Sequence, residues 1–216
     1  HTRFKCDWSS DVCSSDLPFA LAGAMLAARQ HPLTWAVLGW ILVAMVAARS
    51  AAMRFNRIVD ARFDALNPRT AGRELPRGVM TARQAWTFVA AASGVFVVAS
   101  WRLNPICLVL SPVALAIVGW YSLAKRYTTW TQLFLGLAMA VAPVGGWLAV
   151  GGRAGWEPWL LACAIGTWVG GFDVLYACQD LEFDRAHGLH SIPVRFGVVA
   201  ALVISRAMHE IGRAHV

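Results

Sequence analysis

Two stretches of this sequence carry carboxylates at helical spacing. The first, NRIVDARFDALNPRT (56–70), sets Asp60 and Asp64 four residues apart among arginines, with Asn56 one turn earlier. Continued upstream, Arg49, Met53, Asn56, Asp60 and Asp64 follow at intervals of 4, 3, 4 and 4. At about 100° per residue that series makes one stripe along one helix. The second stretch, GFDVLYACQDLEFDRAHG (171–188), holds Asp173, Asp180 and Asp184 seven and four residues apart. That spacing again predicts a single helical face, with Tyr176 and Asp173 pointing up the same cavity. Paired hard oxygen donors suit Mg2+, which keeps waters and bridges the phosphate oxygens of a substrate. Arginines and a lysine beside them would add the charge to hold a diphosphate. One D-x-x-x-D at a helix end reads first as a solvated, arginine-paired surface. Two clusters, with Arg49 inside a span, turn the balance towards a ligand site, because an ionisable side chain within a membrane is costly and faces a cavity or a partner.

Other features carry less. His187-x-x-His190 has no third ligand and reads as loop. Tyr121 and the Trp and Met residues read as helix packing or interfacial anchors, with cation–π contact to a carbocation as the alternative for a few. GGWLAVGG (145–152) lacks the lysine and Ser/Thr of a phosphate loop, so close helix packing is expected there.

The elements that must position these residues are membrane helices. The chain has 216 residues, 58% hydrophobic and 14% charged, with 11 Trp. Uncharged runs at 33–48, 84–101, 103–124, 127–152 and 158–172 alternate with short charged or Gly/Pro-containing connectors, which predicts an all-α polytopic transmembrane bundle. Helices are expected at about 18–28 (partial), 33–54, 82–101, 105–124, 130–150 and 158–179, with a last one starting near 196. The connector after the second carries Arg54, Arg57, Arg62, Arg69, Arg73, Arg77 and Arg83; the later connectors on that side carry Lys125 with Arg126 and Arg185 with Arg195. The opposite loops carry Arg29, Arg102 and Arg153. The lysine and arginine distribution therefore puts both acidic stretches on the cytoplasmic side. Read this way, the net charge of +7 reports topology, and no nucleic-acid partner is expected.

The two ends look foreign to the rest. DVCSSDL (11–17) and IGRAHV (211–216) are related through the genetic code: one DNA encoding of the first, read on its complementary strand, gives the second after a codon ending in AG. This resembles a sequencing-library adapter translated at both edges of an assembled fragment. Residues 1–16 and 210–216 are therefore set aside as non-native, leaving a truncated domain over 17–209. Removing Arg3, Lys5 and Arg213 with Asp7, Asp11, Asp16 and Glu210 makes the chain more basic. Cys107, Cys163 and Cys178 remain, widely spaced, implying neither disulfide nor metal framework.

NRIVDARFDALNPRTAGRELPRG, followed far downstream by YACQDLEFDRAHGLHSIPVRFG, resembles the UbiA-type intramembrane aromatic prenyltransferases, in particular the 4-hydroxybenzoate polyprenyltransferase branch. The resemblance covers 18–206, and YSLAKRYT (121–128) resembles the family's basic loop. It implies an all-helical bundle of about nine spans around a lipid-open cavity, of which this chain would hold six or seven. It also implies that Asn56, Asp60 and Asp64 bind one Mg2+-diphosphate face and Asp180 and Asp184 the other. Lys125 and Arg126, with Arg69 and Arg73, would grip the diphosphate; Tyr121 and Tyr176 would line the substrate site, and Arg49 would take the carboxylate of an aromatic acceptor. The family often has a histidine in the stretch matching TWTQLFLG, where Gln132 stands here, so no catalytic role is carried onto that position.

The implied reaction moves a polyprenyl group from its diphosphate to a ring carbon of an aromatic acid in quinone biosynthesis, with Asp60 and Asp180 holding the leaving group and Asp173 as base or orienting group. The acceptor is 4-hydroxybenzoate or a naphthoate-type acid of menaquinone biosynthesis, and the implied location is a bacterial inner membrane. A CDP-alcohol phosphotransferase would need a D-G-x-x-A-R run, which is missing. A cation-coupled transporter would place its acids mid-bilayer in broken helices.

Overall fold

The computed structural model describes residues 17–66, 72–75, 77–152 and 155–214. In chain order the helices are α1 (Leu17–Ala27), α2 (Trp35–Leu66), α3 (Ala82–Leu103), α4 (Pro105–Tyr127), α5 (Thr131–Val150), α6 (Glu157–Gln179), α7 (Leu181–Ala186) and α8 (Ile192–Ala214). No strand occurs among the described residues. Among the described residues six helices are long and apolar enough to cross a membrane, α1 and α7 being the exceptions. The all-α polytopic bundle expected from the sequence is the architecture observed.

Local chemistry sets the helix ends. Thr81 starts α3 with a capping box: its hydroxyl accepts from the Gln84 N–H at 3.3 Å, and Gln84 Oε1 accepts from the Thr81 N–H at 2.9 Å. Asn104 lies between α3 and α4; its Oδ1 accepts from the Cys107 N–H at 2.9 Å and its Nδ2 donates to Leu148 O at 2.7 Å, tying this turn to the end of α5. Pro105 follows at the first helical position, where its missing N–H costs nothing.

Three boundaries differ from expectation. α2 runs to Leu66, so Arg54, Arg57 and Arg62 are helical rather than part of a connector. Polar residues ended the apolar run near Arg54, but the helix continues because its last turns bury Asp64 and Arg54 against protein instead of lipid. α6 ends at Gln179: Asp180 is its C-cap, and Asp184 belongs to the separate α7, so Asp173, Asp180 and Asp184 do not share one continuous helix. α8 begins at Ile192 and is interrupted at Gly197 (φ 81°, ψ 168°), a conformation open to glycine and strained for other residues.

The most extensive packing joins α5 to α6, α2 to α3, α6 to α8 and α1 to α5. Small residues make these contacts close. An added Cβ at Gly23 would run into the Pro143 carbonyl and one at Gly146 into the Ala20 carbonyl, which is how α1 and α5 approach backbone to backbone. The expectation of helix packing at 145–152 holds at this position. α2 and α6, which carry the two acidic stretches, have no substantial packing between them, and residues of both line a polar cavity.

Candidate active site

α2 and α4 supply one wall of a polar cavity of about 200 Å3; α5, α6 and α7 supply the other. Ten of the residues singled out in the sequence line it: Asn56, Asp60 and Asp64 from α2; Arg73 from the loop beyond; Tyr121 and Lys125 from α4; Asp173 and Tyr176 from α6; Asp180 at the break; and Asp184 from α7. The α2 stripe thus survives as geometry. Its lower half, Arg49, Met53 and Asn56, faces a second and largely apolar cavity of about 830 Å3, which extends between α2, α4, α5 and α6. Asn56 and Tyr121 line both cavities, so the polar chamber and the apolar one meet at these two side chains.

Arg126 is not part of the cavity lining. Its guanidinium donates to the Val59 carbonyl, lies over the Phe63 ring at 5.3 Å and stands 3.9 Å from Asp60. Arg69 lies outside the described residues, as does Arg153. His187 stacks on Phe183 at 4.0 Å between ring centroids, and the His190 backbone N–H donates to Lys125 O at 2.9 Å, so the H-x-x-H pair serves the loop.

Cations pair with the acids. Arg73 Nη1 meets both oxygens of buried Asp64 at 2.8 and 2.7 Å. Lys125 Nζ stands 2.8 Å from Oδ1 of Asp184, which is fully buried. A carboxylate removed from water is costly without such a partner. Among the described residues the lining holds five carboxylates, Asp60, Asp64, Asp173, Asp180 and Asp184, and two cations, Arg73 and Lys125. A bare diphosphate would be repelled from such a chamber; a diphosphate carrying divalent cations would not. The oxygen-only donor set, Asn56, Asp60 and Asp64 facing Asp180 and Asp184, therefore fits Mg2+. Among the described residues no three acidic, histidine or cysteine side chains converge on one point. Two facing half-sites remain, the arrangement expected when substrate phosphates and water complete the coordination.

Several contributors escaped sequence reasoning. Gln132 is buried and accepts from the Ile192 N–H at 3.3 Å through Oε1, so it pins the start of α8 from within the cavity wall. Ser122 and Thr131 line the same chamber; Ser122 could have been found as the i−3 neighbour of Lys125. Glu74 joins two arginines of α2: its Oε2 accepts from Arg57 Nη1 at 2.8 Å and Arg54 Nη1 at 3.1 Å. No spacing rule reveals that contact, because it crosses a loop. Partial burial raises the Glu74 pKa, but the guanidinium groups of Arg57 and Arg54 outweigh it and hold the carboxyl below its ordinary value of 4.5.

Helices long and apolar enough to cross a membrane surround an acidic chamber that meets a larger apolar one. The chain belongs to the UbiA prenyltransferase family, whose model matches residues 17–209. It is 32% identical over 182 residues to the 4-hydroxybenzoate octaprenyltransferase of Vibrio campbellii, an alignment covering 84% of this chain and 64% of that protein. It is 35% identical over 150 residues to the mitochondrial 4-hydroxybenzoate polyprenyltransferase of Aedes aegypti, covering 69% of this chain and 34% of that protein. The chain thus spans about a third to just under two thirds of these relatives. Among solved structures, the apo form of a UbiA homologue from Aeropyrum pernix superposes with a TM-score of 0.86 at 40% identity, over 93% of this chain and 75% of that one. An Archaeoglobus fulgidus homologue bound to DMAPP and Mg2+ shares the fold, with a TM-score of 0.79 at 20% identity over 96% of this chain and 74% of that one.

Proposed function

We propose that this chain transfers a polyprenyl group from polyprenyl diphosphate to a ring carbon of an aromatic acid, with 4-hydroxybenzoate as acceptor, for quinone biosynthesis. The observation that carries the reading is the junction at Asn56 and Tyr121, where an acid-lined chamber of about 200 Å3 meets an apolar cavity of about 830 Å3. That is the shape of a prenyl diphosphate: a polyanionic head on an apolar tail. The names of the Vibrio and Aedes relatives support the acceptor, and the ligands of the Archaeoglobus homologue support the donor class and the metal.

Asn56, Asp60, Asp64, Asp180 and Asp184 would hold Mg2+, which when bound neutralises charge on the departing diphosphate. Lys125 and Arg73, which line the chamber, would add positive charge to hold the diphosphate, and Arg126 stands 3.9 Å from Asp60 outside it. The C–O bond between the allylic carbon and the diphosphate breaks, the electron pair leaving with the diphosphate. The ring carbon ortho to the acceptor's hydroxyl supplies the electrons of the new C–C bond. Asp173, on the wall of the polar chamber that Tyr121 also lines, receives the displaced ring proton. Arg49, lining the apolar cavity, takes the acceptor's carboxylate. Asp60 and Asp64 in the last turns of α2, and Asp180 at the end of α6, stand at helix ends, which favours this reading over a transporter with mid-bilayer acids. The distribution of arginines supports a cytoplasmic-facing site in a bacterial inner membrane.

An acceptor screen in sealed inverted and right-side-out vesicles tests both substrate and sidedness. Prenylation of 4-hydroxybenzoate in inverted vesicles, driven by added Mg2+, is the expected result. Preference for a dihydroxynaphthoate-type acid would move the reaction to menaquinone biosynthesis, and activity confined to right-side-out vesicles would reverse the topology.

A further inference from the structure

We propose that Glu74, which does not line the cavity, is a positioning residue that sets Arg73 for the diphosphate; the proposal rests on the reading of the polar chamber as a diphosphate site. Glu74 takes Arg57 and Arg54 of α2 on a single oxygen, at 2.8 and 3.1 Å. Arg54 is itself a firm anchor: it is 9% exposed, lies over the Phe88 ring of α3 at 5.4 Å, and donates to Met80 Sδ at 3.4 Å. The backbone winds around the same point. The Arg77 N–H donates to Arg73 O at 3.1 Å, and the N–H groups of Val79 and Met80 donate to Glu74 O at 3.0 and 3.4 Å. Glu74 is thereby fastened to α2 through its side chain and to residues 77–80 through its carbonyl.

Arg73, the preceding residue, reaches the other way. Its Nη1 meets both oxygens of Asp64 at 2.8 and 2.7 Å and lines the chamber. Two adjacent residues of opposite charge thus attach the loop to α2 at two heights, Glu74 at Arg54 and Arg57 and Arg73 at Asp64. An arginine on a loop would otherwise lose much conformational freedom on binding an anion, and a guanidinium already aimed loses less. Glu74 supplies that aim without touching the ligand.

The test is a cycle of variants in the membrane-reconstituted protein, read by the KM for prenyl diphosphate, the KM for the aromatic acid, kcat, and the inhibition constant of inorganic pyrophosphate. Glu74→Ala is expected to raise the prenyl diphosphate KM and the pyrophosphate constant together by about tenfold, the scale of one lost charge-assisted hydrogen bond. kcat and the acceptor KM hold, the pattern of lost uniform binding. In an Arg73→Ala background the Glu74→Ala change should add nothing, because Glu74 acts through Arg73. Arg57→Gln, which removes the shorter of Glu74's two ion pairs, should shift the same two constants in the same direction. Additive losses in the Arg73→Ala background, an acceptor KM that moves in step, or an Arg57→Gln variant with unchanged pyrophosphate binding would each overturn the proposal. If the parent protein binds no pyrophosphate in the presence of Mg2+, the diphosphate reading of the chamber fails and this inference falls with it; binding by the parent with an additive cycle removes this inference alone.

Discussion

Asp64 and Asp184 each meet a cation outside their own helix, Arg73 and Lys125, at 2.7 and 2.8 Å, while among the described residues Asp60 has Arg126 at 3.9 Å. The acids of the site therefore differ in how firmly they are already paired. Asp184, fully buried, depends most on its partner, since removing one member of a buried pair strands the other's charge. Glu74 stands apart as an acid that is half-exposed and held by two arginines. Its carboxyl titrates below the ordinary 4.5 in the folded protein, so its contribution to holding residues 77–80 is fully present above that value and is lost as the pH falls through the lower folded one. Amide-exchange protection of Arg77, Val79 and Met80, corrected for intrinsic rates, should accordingly persist down to pH 4.5 and fall below it. Loss of protection at higher pH would show that Glu74 does not hold this loop.

The helices are the level at which the sequence was most legible. Apolar runs bounded by Asn104–Pro105 and Thr81 placed α3 and α4 within a few residues, because a helix in lipid must satisfy its own backbone and cannot drift far from its polar caps. Boundaries failed where polar helix continued past the membrane run, as in α2 beyond Arg54, and where an acidic helix broke, as at Asp180. In both places protein contacts, rather than lipid, replace the hydrophobic signal. The i, i+4 stripe from Arg49 to Asp64 was readable because period alone fixes a helix face; Glu74 with Arg54 and Arg57 was not, since loop closure has no period. Packing of α1 on α5 turns on single methyl groups. Gly146→Ala should destabilise the bundle by about 1–3 kcal/mol through overpacking on the Ala20 carbonyl, whereas Gly145→Ala, with nothing within 4 Å, should be neutral. Thermal unfolding midpoints in detergent would check the pair; equal midpoints would mean that α1 does not seat on α5 as described.

For the molecule as a whole, two chambers of opposite character meet at Asn56 and Tyr121, with the two acidic stretches on opposite walls. Neither stretch alone makes a site: α2 brings Asn56, Asp60 and Asp64, α6 and α7 bring Asp173, Asp180 and Asp184, and the helices between them hold the walls apart. Sequence spacing identified which residues share a face of α2. It did not show that Arg126 turns away to the Val59 carbonyl, or that Gln132 closes the wall behind the acids. The central claim is that acids from both walls act together on one magnesium-bound diphosphate. It is tested most directly by measuring prenyl transfer from a polyprenyl diphosphate to 4-hydroxybenzoate in membranes with Mg2+ and with the metal chelated, for the parent protein, Asp60→Asn and Asp180→Asn. The account predicts transfer by the parent only with Mg2+, and a loss of at least about a hundredfold in either variant, the scale of a lost group that stabilises charge in the transition state. Parent-like transfer by either variant, or transfer indifferent to chelation, would contradict it.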